Sequence, residues 1–350
     1  MRAVVYAGPN EVRVDDVAPP ELKEPADAIV AVRKAAICAS DLHLISGKTP
    51  GAREGAVIGH EFVGLITEVG DDVTRHHEGT RVLGSFLIAC GVCSACAARR
   101  FNFCHERRAL GLGELTGDLD GAQAEYVRVP AADVNLRTLD GGLAGLDDEE
   151  ALLGGDVMTT GFYAAALAEI TPEHTIVVIG AGPVGLFCAL AARRLSPKNL
   201  FVLDADPGRA KSAKKLGLEA IDVSKKDAQA AVAGVTNGAM ADIAIEAVGH
   251  TDALKDALKC VRDGGRVVVV GVYGAERYEM PVGMVWLRGI DLRFAGMANI
   301  QGHWEEALWS VAKGELDPIP IITDRLTLDD AQKGYEKFAA RKALKVVLTP

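Results

Sequence analysis

Thr175-Ile-Val-Val-Ile-Gly180-Ala-Gly182-Pro-Val184-Gly185 is a β-branched apolar run that passes straight into a glycine turn and then into the Ala/Leu-rich segment 186–194. Such a run predicts a buried strand, a tight turn and a buried helix in succession. Gly180 permits the turn, Gly182 lets the backbone approach a pyrophosphate, and Gly185 allows the helix to pack closely on the strand. Free amides and the positive dipole end of the helix would then face the phosphates. Residues 176–192 are apolar enough to pass for a membrane span, but the interior glycines and Pro183 argue against one.

An acidic residue should end the next strand, where it can accept hydrogen bonds from ribose hydroxyls and repel a 2′-phosphate. Asp204 stands nineteen residues after Gly185, so NAD is expected over NADP. Capping the helix that starts near Pro207 is the other reading of Asp204, although Asp206 suits that role better. Two readings also stand for Arg209, cover for the ribose edge or a solvated surface side chain.

Downstream, strand candidates Leu200–Leu203, Ile243–Glu246, Arg266–Gly271 and Ile290–Phe294 alternate with helix candidates Pro183–Leu195, Pro207–Leu216, Ala253–Cys260 and Val282–Leu287. Strand and helix repeated in this way predict a doubly wound parallel sheet over residues 158–298. Residues 1–157 differ, with short strands (Ala3–Tyr6, Ala28–Lys34, Glu61–Val69, Arg81–Gly84, Ala124–Val129) between glycine-rich turns. They predict a mainly β domain. The tail 299–350, with a helix near Asp329–Ala340 and a last strand Lys345–Leu348, fits neither a further strand–helix unit nor a linker, and is expected to return to that first domain.

Of the 350 residues 49% are hydrophobic and 25% charged, a globular composition, and the net charge of −10 disfavours a nucleic-acid partner. No secretory signal is evident at the start, and a membrane partner is not expected; a cytoplasmic location is. Four of the seven cysteines, Cys90, Cys93, Cys96 and Cys104, follow a C-x2-C-x2-C-x7-C spacing in a lobe at about 89–108. Four thiols on one short lobe suit a closed structural zinc site. Disulfides are the alternative, but bridges between cysteines so close in sequence are strained.

Upstream lie Cys38-Ala-Ser40-Asp41-Leu-His43 and Gly59-His60-Glu61. Together with the cysteine lobe, the glycine motif and Asp204, and in this order along the whole chain, they resemble the zinc-dependent medium-chain alcohol dehydrogenases. The resemblance implies an α/β chain with a GroES-like, mainly β catalytic domain and a Rossmann domain. It also implies two zinc ions per chain and NAD.

Carried over by position, Cys38 and His60 would be catalytic zinc ligands, with Asp156 of Leu153-Gly-Gly-Asp156 as the third and Glu61 an alternate ligand. Three protein ligands leave one position open, as catalysis requires. Ser40 and His43 match a proton relay, Thr160 a position beside the nicotinamide, and Val184 and Val272 positions behind it. Core packing would equally explain the two valines, and a place on a helix surface would explain His43.

The implied reaction interconverts an alcohol and its aldehyde or ketone by hydride transfer. Residues 119–136 and 154–165 are more specifically similar to the branch that contains the glutathione-independent formaldehyde dehydrogenases and their shorter relatives. The formaldehyde enzymes are longer than this chain, which favours ordinary NAD exchange here. A zinc-free enone or quinone reductase would lack the cysteine and histidine constellation, and a non-enzymatic zinc module would lack the nucleotide fingerprint. A homodimer or homotetramer is implied by the family.

Other residues say less. Cys188, Cys260, Trp304, Trp309 and Phe338 read as core, His76, His77 and His105 as exposed loop residues. Trp286 suits either a cleft mouth or a subunit edge.

Overall fold

The computed structural model describes residues 1–274 and 277–350. The chain divides into two compact units, Met1–Thr159 with Asn299–Pro350, and Thr160–Ala298.

The second unit is a six-stranded parallel sheet. Its order is Glu219–Asp222, Asn199–Asp204, Thr175–Ile179, Ala241–Glu246, Val261–Val269, Asp291–Phe294. The chain winds outward one way from Thr175–Ile179 and then the other way from Ala241–Glu246, so the order reverses between those two strands. Every residue of Thr175–Ile179 is buried, because a parallel strand in mid-sheet has helices over both faces. Its four apolar residues, Ile176 to Ile179, therefore run continuously rather than alternating.

Helix Pro183–Arg194 follows. Proline takes the first helical position, where no amide bond is lost, and Arg193 and Arg194 complement the dipole at the far end. Residues 185–192 are all buried, as an all-apolar helix requires. The segment that could be mistaken for a membrane span is thus strand, turn and core helix. Among the described residues no single helix is long and apolar enough to cross a membrane. The sequence reading lacks strand Glu219–Asp222 and helix Ala228–Val235, whose short, half-exposed patterns carry little periodicity.

The first unit is built on a seven-stranded sheet in the order Ile322–Thr327, Lys345–Thr349, Ala28–Ile37, Glu61–Val69, Arg81–Gly84, Leu136–Thr138, with Tyr126–Val129 also paired to Ala28–Ile37. The tail returns to it: Lys345–Thr349 pairs antiparallel with Ala28–Ile37, Val346 opposite Ile37. Two bulges in the pairing of Ala28–Ile37 with Glu61–Val69 bend the sheet. Its core gathers Val30, Phe62, Ile66, Val82 and Leu110, each contributing about 1.5–3 kcal/mol relative to exposure.

Two side chains depart from the sequence reading. His76 is buried, not exposed, with Nδ1 3.1 Å from Thr138 Oγ1, because its turn folds back against the Leu136–Thr138 strand. Trp309 is 38% exposed rather than core, its ring lying across Gly142. Trp304, Phe338, Cys188 and Cys260 are buried, and His77 and His105 are exposed, as read.

Candidate active site

Helix Ala39–Ile45 begins immediately after strand Ala28–Ile37, with Cys38 in extended backbone as its N-cap. Asp41 Oδ2 accepts the Cys38 backbone N–H at 2.9 Å, which fixes the start of the helix. Asp41 Oδ1 lies 3.0 Å from His60 Nδ1. His60 immediately precedes the Glu61–Val69 strand, which is paired on both sides, so its ring is held at the end of an interior strand.

With Nδ1 engaged by Asp41, the other nitrogen faces Asp156. His60 Nε2 is 3.3 Å from Asp156 Oδ2, and Cys38 Sγ is 3.4 Å from the same oxygen. Candidate ligand atoms of Cys38, His60, Glu61 and Asp156 all lie within 4.8 Å of one another, and all four residues are buried. Zinc bond lengths of about 2.0–2.3 Å in a tetrahedron place ligand atoms roughly 3.3–3.8 Å apart, so the set fits the ion. Charge agrees. A Cys38 thiolate and an Asp156 carboxylate beside a neutral imidazole balance a divalent cation.

Glu61 is engaged elsewhere: Lys345 Nζ donates to Oε1 at 2.7 Å and lies 2.5 Å from Oε2, with both side chains at 0% exposure. Burial opposes the charge of Lys345, yet Glu61 raises its pKa. Burial pushes the Cys38 thiol up, with Lys345 opposing. Burial alone would lower His60, but Asp41 and Asp156 outweigh it and hold the imidazole well above its ordinary value. Asp156 is held below the carboxylate range by the His60 hydrogen bond, against the effect of burial.

Ser40 Oγ is 3.2 Å from His60 Nε2. His43, three residues on and so on the same helix face, is half-buried. Asp41, Gln123, Tyr335 and Lys345 were not assigned roles from the sequence. Gln123 Nε2 donates to the Ala36 carbonyl at 3.1 Å and to Asp41 Oδ2 at 3.3 Å, and Tyr335 OH donates to Gln123 Oε1 at 2.8 Å. Asp41 stands within the Cys38–His43 motif and could have been suspected. Nothing local marks the other three.

In the cysteine lobe, Sγ atoms of Cys90, Cys93, Cys96 and Cys104 lie within 4.8 Å of one another, Cys93 and Cys96 at 3.6 Å. None is in a disulfide. The sulfur spacing fits a tetrahedral zinc with bonds of about 2.3 Å. Backbone amides of Cys96 and His105 hold Cys93 down to about 6, toward the thiolate that a metal takes. Buried Asn299 anchors the lobe, accepting from Phe101 N at 3.0 Å and donating to the Arg99 carbonyl at 2.9 Å.

In the second unit, Gly180 has φ +101°, and a Cβ at Gly185 would sit 1.9 Å from the Gly180 carbonyl oxygen. Neither position tolerates a side chain. Gly182 caps the helix in extended backbone, with the Arg209 guanidinium the nearest group to a Cβ there, at 3.8 Å. Asp204 Oδ2 accepts from Ala181 N at 2.6 Å and Oδ1 from Asp206 N at 2.7 Å. The cap of the next helix is Asp206, which accepts from Gly208 N and Arg209 N. Val184 is half-buried in the first turn after the glycines, and Val272 is 52% exposed beyond strand Val261–Val269. Thr160 is buried in the first turn of helix Val157–Ala168, four residues after Asp156.

Known proteins resemble this chain over its whole length. The family description "Alcohol dehydrogenase GroES-like domain" matches residues 24–137, and "Zinc-binding dehydrogenase" matches residues 183–313. A probable zinc-binding alcohol dehydrogenase of Mycobacterium tuberculosis is 38% identical over 342 residues, covering 97% of this chain and 86% of that protein. A glutathione-independent formaldehyde dehydrogenase of Pseudomonas aeruginosa is 30% identical, covering 100% of this chain and 97% of that protein. Among solved structures, the alcohol dehydrogenase TADH of Thermus sp. ATN1 has 38% identity and a TM-score of 0.93, covering 100% of this chain and 99% of that one.

The fold is thus that of the medium-chain dehydrogenases, a GroES-like unit with a Rossmann unit. The chain belongs to the zinc-dependent medium-chain alcohol dehydrogenase family, and is an oxidoreductase.

Proposed function

We propose that this protein interconverts an alcohol and its aldehyde or ketone, using one catalytic zinc, one structural zinc and NAD. The observation that carries the reading is the convergence of Cys38, His60, Glu61 and Asp156 ligand atoms within 4.8 Å. Cys38, His60 and Asp156 hold the catalytic ion; Cys90, Cys93, Cys96 and Cys104 hold the structural one. When bound, the zinc supplies Lewis acidity at the substrate oxygen and the nicotinamide exchanges the hydride.

The chain's own residues bind, orient and move a proton. Ser40, beside the ligating face of His60, accepts the proton of the substrate hydroxyl, and half-buried His43 passes it to solvent. Gly180, Gly182 and Gly185 cradle the pyrophosphate at the amides of helix Pro183–Arg194. Asp204 and Arg209 frame the adenosine ribose, while Thr160, Val184 and Val272 contact the nicotinamide ring.

Turnover of a panel of alcohols and aldehydes with NAD and NADP, beside zinc quantitation, tests the reading. Cys38→Ser and His60→Ala should abolish turnover and lower zinc from two per chain toward one, with NADH fluorescence enhancement retained. Activity kept in either variant refutes the catalytic metal. A second reading, aldehyde oxidation without glutathione, is favoured by the likeness to the Pseudomonas aeruginosa formaldehyde dehydrogenase. Formaldehyde-dependent NADH formation would support it.

We further propose a homo-oligomer. Among the described residues strand Asp291–Phe294 is the last of its sheet, and such an edge invites a second strand. Near it in sequence, Val282, Trp286, Leu287 and Phe294 are each more than half exposed, the kind of apolar surface a second copy would cover.

A further inference from the structure

Lys345 is a lysine with no exposed surface, and lysines are almost never fully buried without a partner. It opens the final strand, Lys345–Thr349. Val346 stands opposite Ile37, so Lys345 falls beside Cys38, and Ala36 stands opposite Glu61 on the other side of the same central strand. The register of three neighbouring strands therefore delivers ammonium, thiol and carboxylate to one end of the sheet.

The ammonium engages both Glu61 oxygens, at 2.7 Å and 2.5 Å. Stability alone does not call for such a pair, since apolar residues of similar volume commonly serve a core equally well. Its position has a different consequence. A Glu61 oxygen is within 4.8 Å of the Cys38, His60 and Asp156 ligand atoms, near enough to serve as a fourth protein ligand. Four protein ligands make a closed site, as in the cysteine lobe, and a closed site cannot take substrate.

We infer that Lys345 is a positioning residue: it holds the Glu61 carboxylate off the metal position and so keeps one coordination position open. The inference rests on the reading of Cys38, His60 and Asp156 as the catalytic zinc ligands. Without the ammonium, the nearest cation to a buried Glu61 carboxylate is the metal itself. Glu61 then closes the site.

The test uses the full-length protein loaded with zinc, or with Co²⁺ as a spectroscopic substitute, and imidazole as a probe of the open position. Wild type, Lys345→Arg, Lys345→Met and the double variant Lys345→Met/Glu61→Gln are compared. Lys345→Met should retain two metals per chain, shift the Co²⁺ visible bands, and bind imidazole at least about tenfold more weakly, the scale typical of residues that orient ligands. Lys345→Arg should stay near wild type, and Glu61→Gln in the Met background should restore imidazole binding.

A merely structural lysine would change thermal stability but leave the cobalt bands and the imidazole affinity unmoved, which would overturn the inference. So would a double variant that folds but fails to regain the probe. Should Lys345→Met not fold, Lys345→Gln, which also removes the ammonium, carries the same expectation of about tenfold; unchanged imidazole binding there also overturns it. A wild-type protein holding only one zinc per chain would instead refute the metal reading beneath it.

Discussion

Asp41 Oδ1 lies 3.0 Å from His60 Nδ1, and both side chains are buried. The other oxygen of the same carboxylate accepts the backbone N–H of Cys38. One side chain thus orients two of the three proposed zinc ligands, holding the imidazole with Nε2 toward the metal position and Cys38 at the start of its helix. Carboxylates behind ligating histidines commonly do this.

Asp41→Asn is isosteric, yet presents an amide N–H₂ or an oxygen where two acceptors are needed. Satisfying Cys38 N–H with the amide oxygen turns the N–H₂ toward His60 Nδ1 and favours the tautomer protonated on Nε2, which cannot ligate. Zinc at this site should weaken by about 10- to 100-fold, read by chelator competition, with the cysteine-lobe zinc unaffected. An unchanged affinity would remove Asp41 from the site.

Without the ion, burial raises the Cys38 thiol, and Asp41 with Asp156 raises His60 despite its burial. Both groups must lose a proton to ligate. Affinity for zinc should therefore fall as pH falls, and reloading depleted protein should release protons. Calorimetry in buffers of different ionisation heat measures that release; a buffer-independent heat would contradict the donor set.

Asp204 accepts two backbone amides and sits at the carboxyl end of its strand, beside the glycine turn. Its charge should repel a 2′-phosphate, and like-charge contacts cost several kcal/mol. Asp204→Gly should move the NAD/NADP ratio of kcat/KM toward NADP by at least about tenfold, equivalent to about 1.4 kcal/mol. If the ratio stays put, the carboxylate serves only to brace the turn.

Trp286 is 80% exposed and Leu287 78%. Trp286→Glu with Leu287→Lys should dissociate an oligomer built on the edge strand Asp291–Phe294, seen as a lower mass by light scattering at unchanged NADH affinity. Retention of the wild-type mass would place the interface elsewhere.

Much was legible in the chain alone. Thr175–Ile179, its glycine turn and the following helix could be read because strand, turn and helix each impose a local chemistry that survives without neighbours. The cysteine lobe was equally plain, four thiols within fifteen residues being self-sufficient for one ion. Cys38, Ser40, Asp41 and His43 could be grouped because they share one short helix.

Lys345 could not be read in this way. In an apolar strand near the end of the chain, a single lysine reads as a surface residue, and its partner Glu61 lies 284 positions away. Only sheet register brought the two together, as it brought the Tyr335–Gln123 hydrogen bond behind Asp41. Local sequence determined which groups are candidates to bind metal and nucleotide, because ligand chemistry and turn geometry are short-range. Tertiary structure decided which charges face one another, because strand pairing and burial alone set the distances and the dielectric through which they act.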